Sequence, residues 1–209
     1  FRASIGAVPF LLPLLFQIGF GLDAFVSGLL VLSVFAGNIV MKIFTTRVLN
    51  HFGFRRTLLV NGLLNAAAIL ACALIGPATP VPVIMAVLFV SGLTRSMQFT
   101  TLATIAFADV PADRMNGANT LSNIAQPLGM ALGIAAAALA LRAAGLIFPA
   151  AGTTLSLTQF HVAFLIIGLI ALVAVVDMVG LAPAAGDSLR KLPARRGAGL
   201  RTAGPREAG

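Results

Sequence analysis

The sequence has no tryptophan and no tyrosine, a single cysteine, two histidines and six acidic residues in 209 positions. Each scarcity closes a class of explanation. A lone cysteine, Cys72, sits in an apolar run and supports neither a disulfide nor a thiolate metal site, so it reads as packing. His51 and His161 fall at opposite ends of the apolar runs, and acids are nearly absent from those runs. There is thus no paired carboxylate, histidine cluster or nucleophile–base pair for an enzyme, and no metal or other cofactor is expected. Only 10% of the residues are charged, against roughly 25% in an ordinary soluble domain, which excludes a water-soluble globule. The lack of Trp and Tyr removes the usual interfacial belts and leaves Arg, Lys and Phe to fix depth in a bilayer.

What is present is apolar: 59% hydrophobic residues and a mean hydropathy of +1.02. Charge-free runs cover 3–22, 24–41, 57–94, 115–141 and 143–176, with a break at 76–82, "GPATPVP". A spanning helix needs about 20 mostly apolar residues. The pattern predicts an all-α integral membrane protein with six transmembrane helices near 4–21, 24–46, 57–76, 82–107, 117–141 and 160–181. A β-barrel would need alternating polarity, whereas these runs are apolar on both parities. The bundle thus occupies residues 1–182, and the Gly-, Pro- and Ala-rich basic tail 183–209 is expected to be disordered and to touch anionic lipid. The chain starts at Phe1 with a helix almost at once, so it is expected to be a piece of a longer protein. Pro9 and Pro13 and the missing charged leader argue against a signal peptide.

Placing both termini in the cytoplasm puts Arg2, Lys42, Arg47, Arg55, Arg56, Arg114 and the tail cations Arg190, Lys191, Arg195, Arg196, Arg201 and Arg206 on the inner side. Only Arg142 falls outside, so with Arg95 set apart the split is 12 to 1. A multi-pass protein of the cell's inner membrane follows. The net charge of +8 reflects this bias, and nucleic acid is not an expected partner, because the cations are scattered and lack interleaved aromatics.

Arg95 is the anomaly. It lies in the apolar stretch "VSGLTRSMQFTTLATIAF", about 12 Å from the nearer interface at 1.5 Å per residue, where a charge costs at least about 3 kcal/mol. Ser91, Thr94, Gln98 and Thr101 fall beside it at helical spacing and predict a polar stripe facing a wet cavity or partner helices. The competing structural reading is that Arg95 pairs with helix-end carbonyls and pins the bundle. Asn119, Asn123 and Gln126 in the fifth helix, Asn61 and Asn65 in the third and Gln17 in the first are further polar positions suited to an interior path, although each alone suits an interhelical hydrogen bond worth about 0.6 kcal/mol. Pro9, Pro13 and Gln17 share one face at i, i+4, i+8 and mark a place where the first helix can bend. Gly129 and Gly133 form a small-xxx-small pattern for close packing.

The segment "TTRVLNHFGFRRTLL", 45–59, reads as a short turn on the cytoplasmic side, with Gly53 at a tight reversal and Arg55 and Arg56 opening the next helix. It resembles the signature loop G-x-x-x-D-R/K-x-G-R-R/K of the major facilitator superfamily, with Thr46, Asn50, His51, Gly53, Phe54 and Arg55 at its key positions. Thr46, Asn50 and Phe54 replace Gly, Asp and the first Arg, which leaves the loop a hinge or gate role. "IGAVPFLLPLLFQIGFG", "RSMQFTTLATIAFADV" and "GANTLSNIAQPLGMALGIA" resemble the last six helices of the fourteen-helix drug/proton antiporter branch. Arg95 and Gln98 resemble the R-x-x-Q element of the first half, with Phe99 where the family has Gly.

The resemblance implies a carboxy-terminal half built from two inverted three-helix repeats, a substrate site near the midplane and alternating access. It implies efflux of small amphipathic compounds or drugs driven by protons, with Arg95, Gln98, Gln17, Asn119, Asn123 and Gln126 on the transport path and Asn50, Gly53, Arg55 and Arg56 in a cytoplasmic gate. The partners implied are a small-molecule substrate, protons, the lipid bilayer and the missing amino-terminal half, which carries most of the coupling acids. Asp177 is the only acid inside an expected span, near its inner end. A non-transporting membrane scaffold or assembly subunit is the alternative.

Overall fold

Two prolines shape the first helix. Pro9 and Pro13 have no N–H to give to the preceding turn, so α1 (Arg2–Leu14) loses two rungs of its ladder and then widens into a π turn over Leu15–Gly19. There the Phe20 N–H reaches back to the Leu15 carbonyl (2.9 Å) and the Leu22 N–H to that of Phe16 (3.0 Å). Asp23 then starts α2 (Ala24–Phe52), its Oδ1 accepting from the N–H groups of Phe25 (2.7 Å) and Val26 (3.0 Å). The helix ends at Gly53, whose φ of 77° is a conformation that suits glycine, and α3 (Phe54–Cys72) starts on the next residue. After a turn at 73–80 come α4 (Val81–Ala106), a short 3₁₀ turn at Ala112–Arg114, α5 (Met115–Ile147) and α6 (Leu157–Val179). The computed structural model describes residues 2–107, 110–149 and 155–179. Asp109, the side chain of Asp177 and the tail 183–209 lie outside the described residues.

Five of the six long helices are apolar enough to cross a membrane by length and composition; α3 is not. Its Arg55, Arg56, Asn61 and Asn65 lower its apolarity, and Asn61 and Asn65 are buried against other helices. The expected loop at 47–56 is a single residue, Gly53, because α2 continues past 46 to Phe52 and α3 starts at Phe54 rather than 57. Likewise α5 reaches Ile147 rather than 141. Apolar patterning stops where headgroups begin, but helical hydrogen bonding does not need an apolar face there, so composition shortens such helices.

The packing is that of two inverted three-helix repeats. α1 packs on α5 and α2 on α4, while α3 packs on α6 and α4. Arg2 lies beside Gly129 and Ala7 beside Gly133, so α1 and α5 run parallel; Val34 meets Gly92 and Asn38 meets Ser96, so α2 and α4 do too. α3 and α6 run antiparallel, with Ile75 beside His161 and Leu70 beside Gly168. Exchanging α1–α3 for α4–α6 maps the α1·α5 seam onto the α2·α4 seam and α3·α6 onto itself. Both seams rest on reciprocal glycines. A Cβ on Gly6 would stand 2.8 Å from the Met130 carbonyl oxygen, and one on Gly133 2.9 Å from the Ala3 carbonyl carbon. One on Gly92 would stand 2.9 Å from the Val34 carbonyl carbon, and one on Gly37 2.9 Å from the Leu93 nitrogen. Only side chains without a Cβ allow such backbone approach.

The two ends of the bundle differ. Arg2, Arg47, Arg55, Arg56 and Arg114 gather at the end that holds the Gly53 turn, called here the basic end. The main apolar core, including Phe16, Ile69, Leu88, Phe160 and Phe164, fills the opposite half. Toward the basic end the apolar core shrinks to Leu49, Phe54 and Met97 with a few flanking residues. Polar side chains and clefts take over there.

Candidate functional site

The middle of α4 carries two polar arrangements on different sides. Ser91, Thr94, Gln98 and Thr101 are all buried, and Gln98 is fully inaccessible. Asn61 of α3 donates through Nδ2 to Gln98 Oε1 (2.7 Å) and to the Thr94 carbonyl (2.8 Å). Gln98 Nε2 in turn donates to the Leu58 carbonyl at 3.4 Å and to the Met178 sulfur of α6 at 3.6 Å. The Thr94 hydroxyl lies 3.3 Å from Asn65 Oδ1 and 3.1 Å from the carbonyls of Val90 and Ser91. Asn65 Nδ2 is the exception, buried with no hydrogen-bond partner among the described residues. The network ties α4 to α3 and α6 through groups that satisfy one another inside the half-bundle.

Arg95 does not join it. The side chain is half-buried and faces the other way, into a pocket of about 350 Å³ bounded by α2, α4 and α5. Phe35, Ile39 and Lys42 of α2 line it, with Phe99 of α4 and Met130 of α5. Asn38, Ser96 and Thr100 complete the wall, but the Ser96 hydroxyl donates to the Asn38 carbonyl (3.1 Å) and that of Thr100 to the Ser96 carbonyl (3.0 Å). No hydrogen bond or ion pair joins Arg95 to another described residue, and no acidic residue is among the described residues lining the pocket. Arg2 of α1 places its guanidinium carbon 5.4 Å from the centroid of the Phe99 ring.

None of the other residues expected on a path is among those that line this pocket. Gln126 is half-buried on α5, one turn before Met130, its Nε2 3.2 Å from the Ser122 hydroxyl. Asn119 and Asn123 are exposed nearer the basic end of the same helix. Gln17 is exposed in the π turn, toward the opposite end from Arg95. Gln98 is not on the pocket. At the basic end Asn50 is exposed in the last turn of α2, and Arg55 and Arg56 lie in the first turn of α3 around Gly53. Arg56 also lines a separate cleft of about 480 Å³ between α2, α3 and α4, with Met41, Val48, Val60, Leu64 and Met97.

Lys42, Phe35 and the Arg2–Phe99 contact are the pocket features that reading the sequence missed. Lys42 looked like an interfacial anchor and Phe35 one more apolar residue. Only the parallel pairing of α2 with α4 brings positions 53 to 60 residues apart to one wall.

The Major Facilitator Superfamily family model matches residues 1–134. Over 193 residues, 92% of this chain and 41% of the relative, the sequence is 32% identical to the "Probable transport protein HsrA" of Haemophilus influenzae. It is 34% identical over 143 residues to the "Putative multidrug resistance protein MdtD" of Yersinia enterocolitica, covering 67% of this chain and 30% of that protein. The MdtD protein of Cronobacter sakazakii is 34% identical over 147 residues, 69% of this chain and 31% of the relative. The chain thus spans less than half the length of these curated relatives. No solved structure matches it. The glycine-locked inverted repeats, the apolar helices and the family match agree, and the chain belongs to the Major Facilitator Superfamily.

Proposed function

We propose that this chain is the carboxy-terminal half of a secondary transporter that exports small amphipathic compounds in exchange for protons by alternating access. The observation that carries the reading is Arg95, a cation in a spanning helix that faces an open pocket with no partner among the described residues. Intramembrane charges of this kind mark ligand or ion paths. The exposed apolar side chains of α2 and α5, among them Phe25, Leu29, Leu32, Leu121, Leu128 and Leu132, leave these two helices uncovered on one side and suit docking of the other half. Such relatives are more than twice as long as this chain, and the family resemblance places most proton-coupling acids in that other half.

In this reading the basic end faces the cytoplasm of an inner-membrane protein, with both ends of the six-helix bundle on that side. Arg95 supplies a fixed charge in the path. Gln126, Asn123 and Asn119 continue it along α5 toward the cytoplasm, Gln17 serves its far end, and Gln98 holds α4 in place from behind. Asn50, Gly53, Arg55 and Arg56 act as the cytoplasmic gate, the one-residue hinge letting α3 swing relative to α2. A reaction center is not part of this reading; the family is one of transporters rather than enzymes.

Counterflow in proteoliposomes tests it. The carrier assembled from this chain and its other half should show saturable, proton-gradient-dependent dye movement, and residues 1–209 alone should insert but not transport, because one half has nothing to rock against. Saturable transport by the chain alone, without homodimer crosslinks, would refute the half-transporter reading.

A further inference from the structure

The pocket beside Arg95 has a chemical bias that goes beyond transport of amphipathic compounds in general. Two cations, Arg95 and Lys42, line it, and a third, Arg2, lies over the Phe99 ring that forms part of its wall. The Arg2 Nη1 nitrogen is buried with no hydrogen-bond partner among the described residues. The described lining holds no acidic residue, and the hydroxyl protons of Ser96 and Thr100 are already given to carbonyls. The surplus is therefore of positive charge and N–H donors. A cation entering here would meet like charge and no carboxylate, whereas an anion would complete donors that have no partner among the described residues. The remaining walls, Phe35, Ile39, Phe99 and Met130, are apolar and partly aromatic.

We propose that this pocket binds an amphipathic anion, its carboxylate or similar acid group held by Arg95 and Lys42 and its apolar body lying against Phe35, Phe99 and Met130. The assignment rests on the transporter reading and names its substrate class. The guanidinium presents a planar fork that takes a carboxylate through two parallel hydrogen bonds, while Lys42, one helix away and exposed, acts as a point charge that draws the anion in. A volume of about 350 Å³ is at the small end of ligand sites, suiting a compact aromatic or branched acid.

Two fluorescent probes with the same apolar body and opposite charge test the assignment: pyrenebutyrate and the corresponding pyrenylbutyl trimethylammonium. In the assembled carrier in nanodiscs, the carboxylate should bind at least about tenfold more tightly than the ammonium, and Arg95→Gln should remove at least about tenfold of that affinity, the loss expected for one charge-assisted hydrogen bond. Lys42→Gln, at an exposed position that tolerates change, should weaken the carboxylate about two- to fivefold and leave the ammonium unchanged or improved. Arg95→Lys should fall between wild type and Arg95→Gln. Tighter binding of the ammonium, or equal losses for both probes in Arg95→Gln and Lys42→Gln, would overturn the proposal and point to an acid of the other half as the partner of Arg95. Counterflow separates the two readings. Transport that prefers the ammonium leaves the transporter standing and removes the anion site, whereas Arg95-dependent carboxylate binding without any counterflow keeps the site and removes the transporter.

Discussion

Gln98 and Arg95 stand three residues apart on one helix, and their surroundings are opposite. Gln98 is fully buried between α3 and α6, accepting from Asn61 and donating toward Leu58 and Met178. Arg95 is half-buried toward α2 and α5 and has no hydrogen-bond or ion-pair partner among the described residues. A polar group whose needs are met inside the bundle holds helices together. One whose needs are unmet keeps its binding capacity for something that arrives later. Composition shows that one is charged and the other neutral, but not which neighbours each one faces, and the difference in role lies there.

The comparison can be broken most severely at the seam that sets the rotation of α4. Gly92→Val would drive a side chain into the α2 backbone beside Val34, and a clash that neither backbone can avoid should cost about 3 kcal/mol or more. The expected result is little folded protein after detergent extraction, together with loss of both the network and the pocket. Gln98→Ala sharpens the comparison. It should lower unfolding free energy by about 2 kcal/mol, since it empties a buried site and strands part of Asn61. Transport per folded molecule should stay near wild type, as measured by counterflow normalised to folded protein. Gly53→Val, which forces a β-branched residue to a φ of 77°, should cost about 1 kcal/mol and slow transport more than it weakens equilibrium binding. Equal losses of binding and rate there would argue against a hinge.

Much of the architecture was readable from residues. Apolar runs located the helices, the prolines of α1 marked its break, and Gly53 marked the reversal that its positive φ makes. "GMALG" pointed to close packing, and Gly133 does seat against the α1 backbone while Gly129 lies beside the Arg2 side chain. Of the other three interlocking glycines, Gly6 has no small residue four positions away, whereas Gly37 and Gly92 have serines there, Ser33 and Ser96, so only the packed helices reveal all three as backbone contacts. Arg95 stood out because a charge is rare in an apolar run. The facing of Gln98 did not, because residues at i and i+3 fall within one broad stripe and the helix rotation that parts them is set by the glycine seam with α2, whose Val34 and Gly37 lie more than 50 residues away along the chain. Helix ends in the headgroup layer were hidden for a different reason: charged residues there end an apolar run without ending a helix.

The most direct test is Arg95→Ala in the assembled carrier, with equilibrium unfolding and transport measured on the same preparation. The structure predicts an unfolding free energy within about 0.5 kcal/mol of wild type, because no hydrogen bond to a described residue is lost, together with transport reduced to background. A loss of stability as large as that of Gln98→Ala, with normal transport per folded molecule, would contradict it and make Arg95 a structural pin.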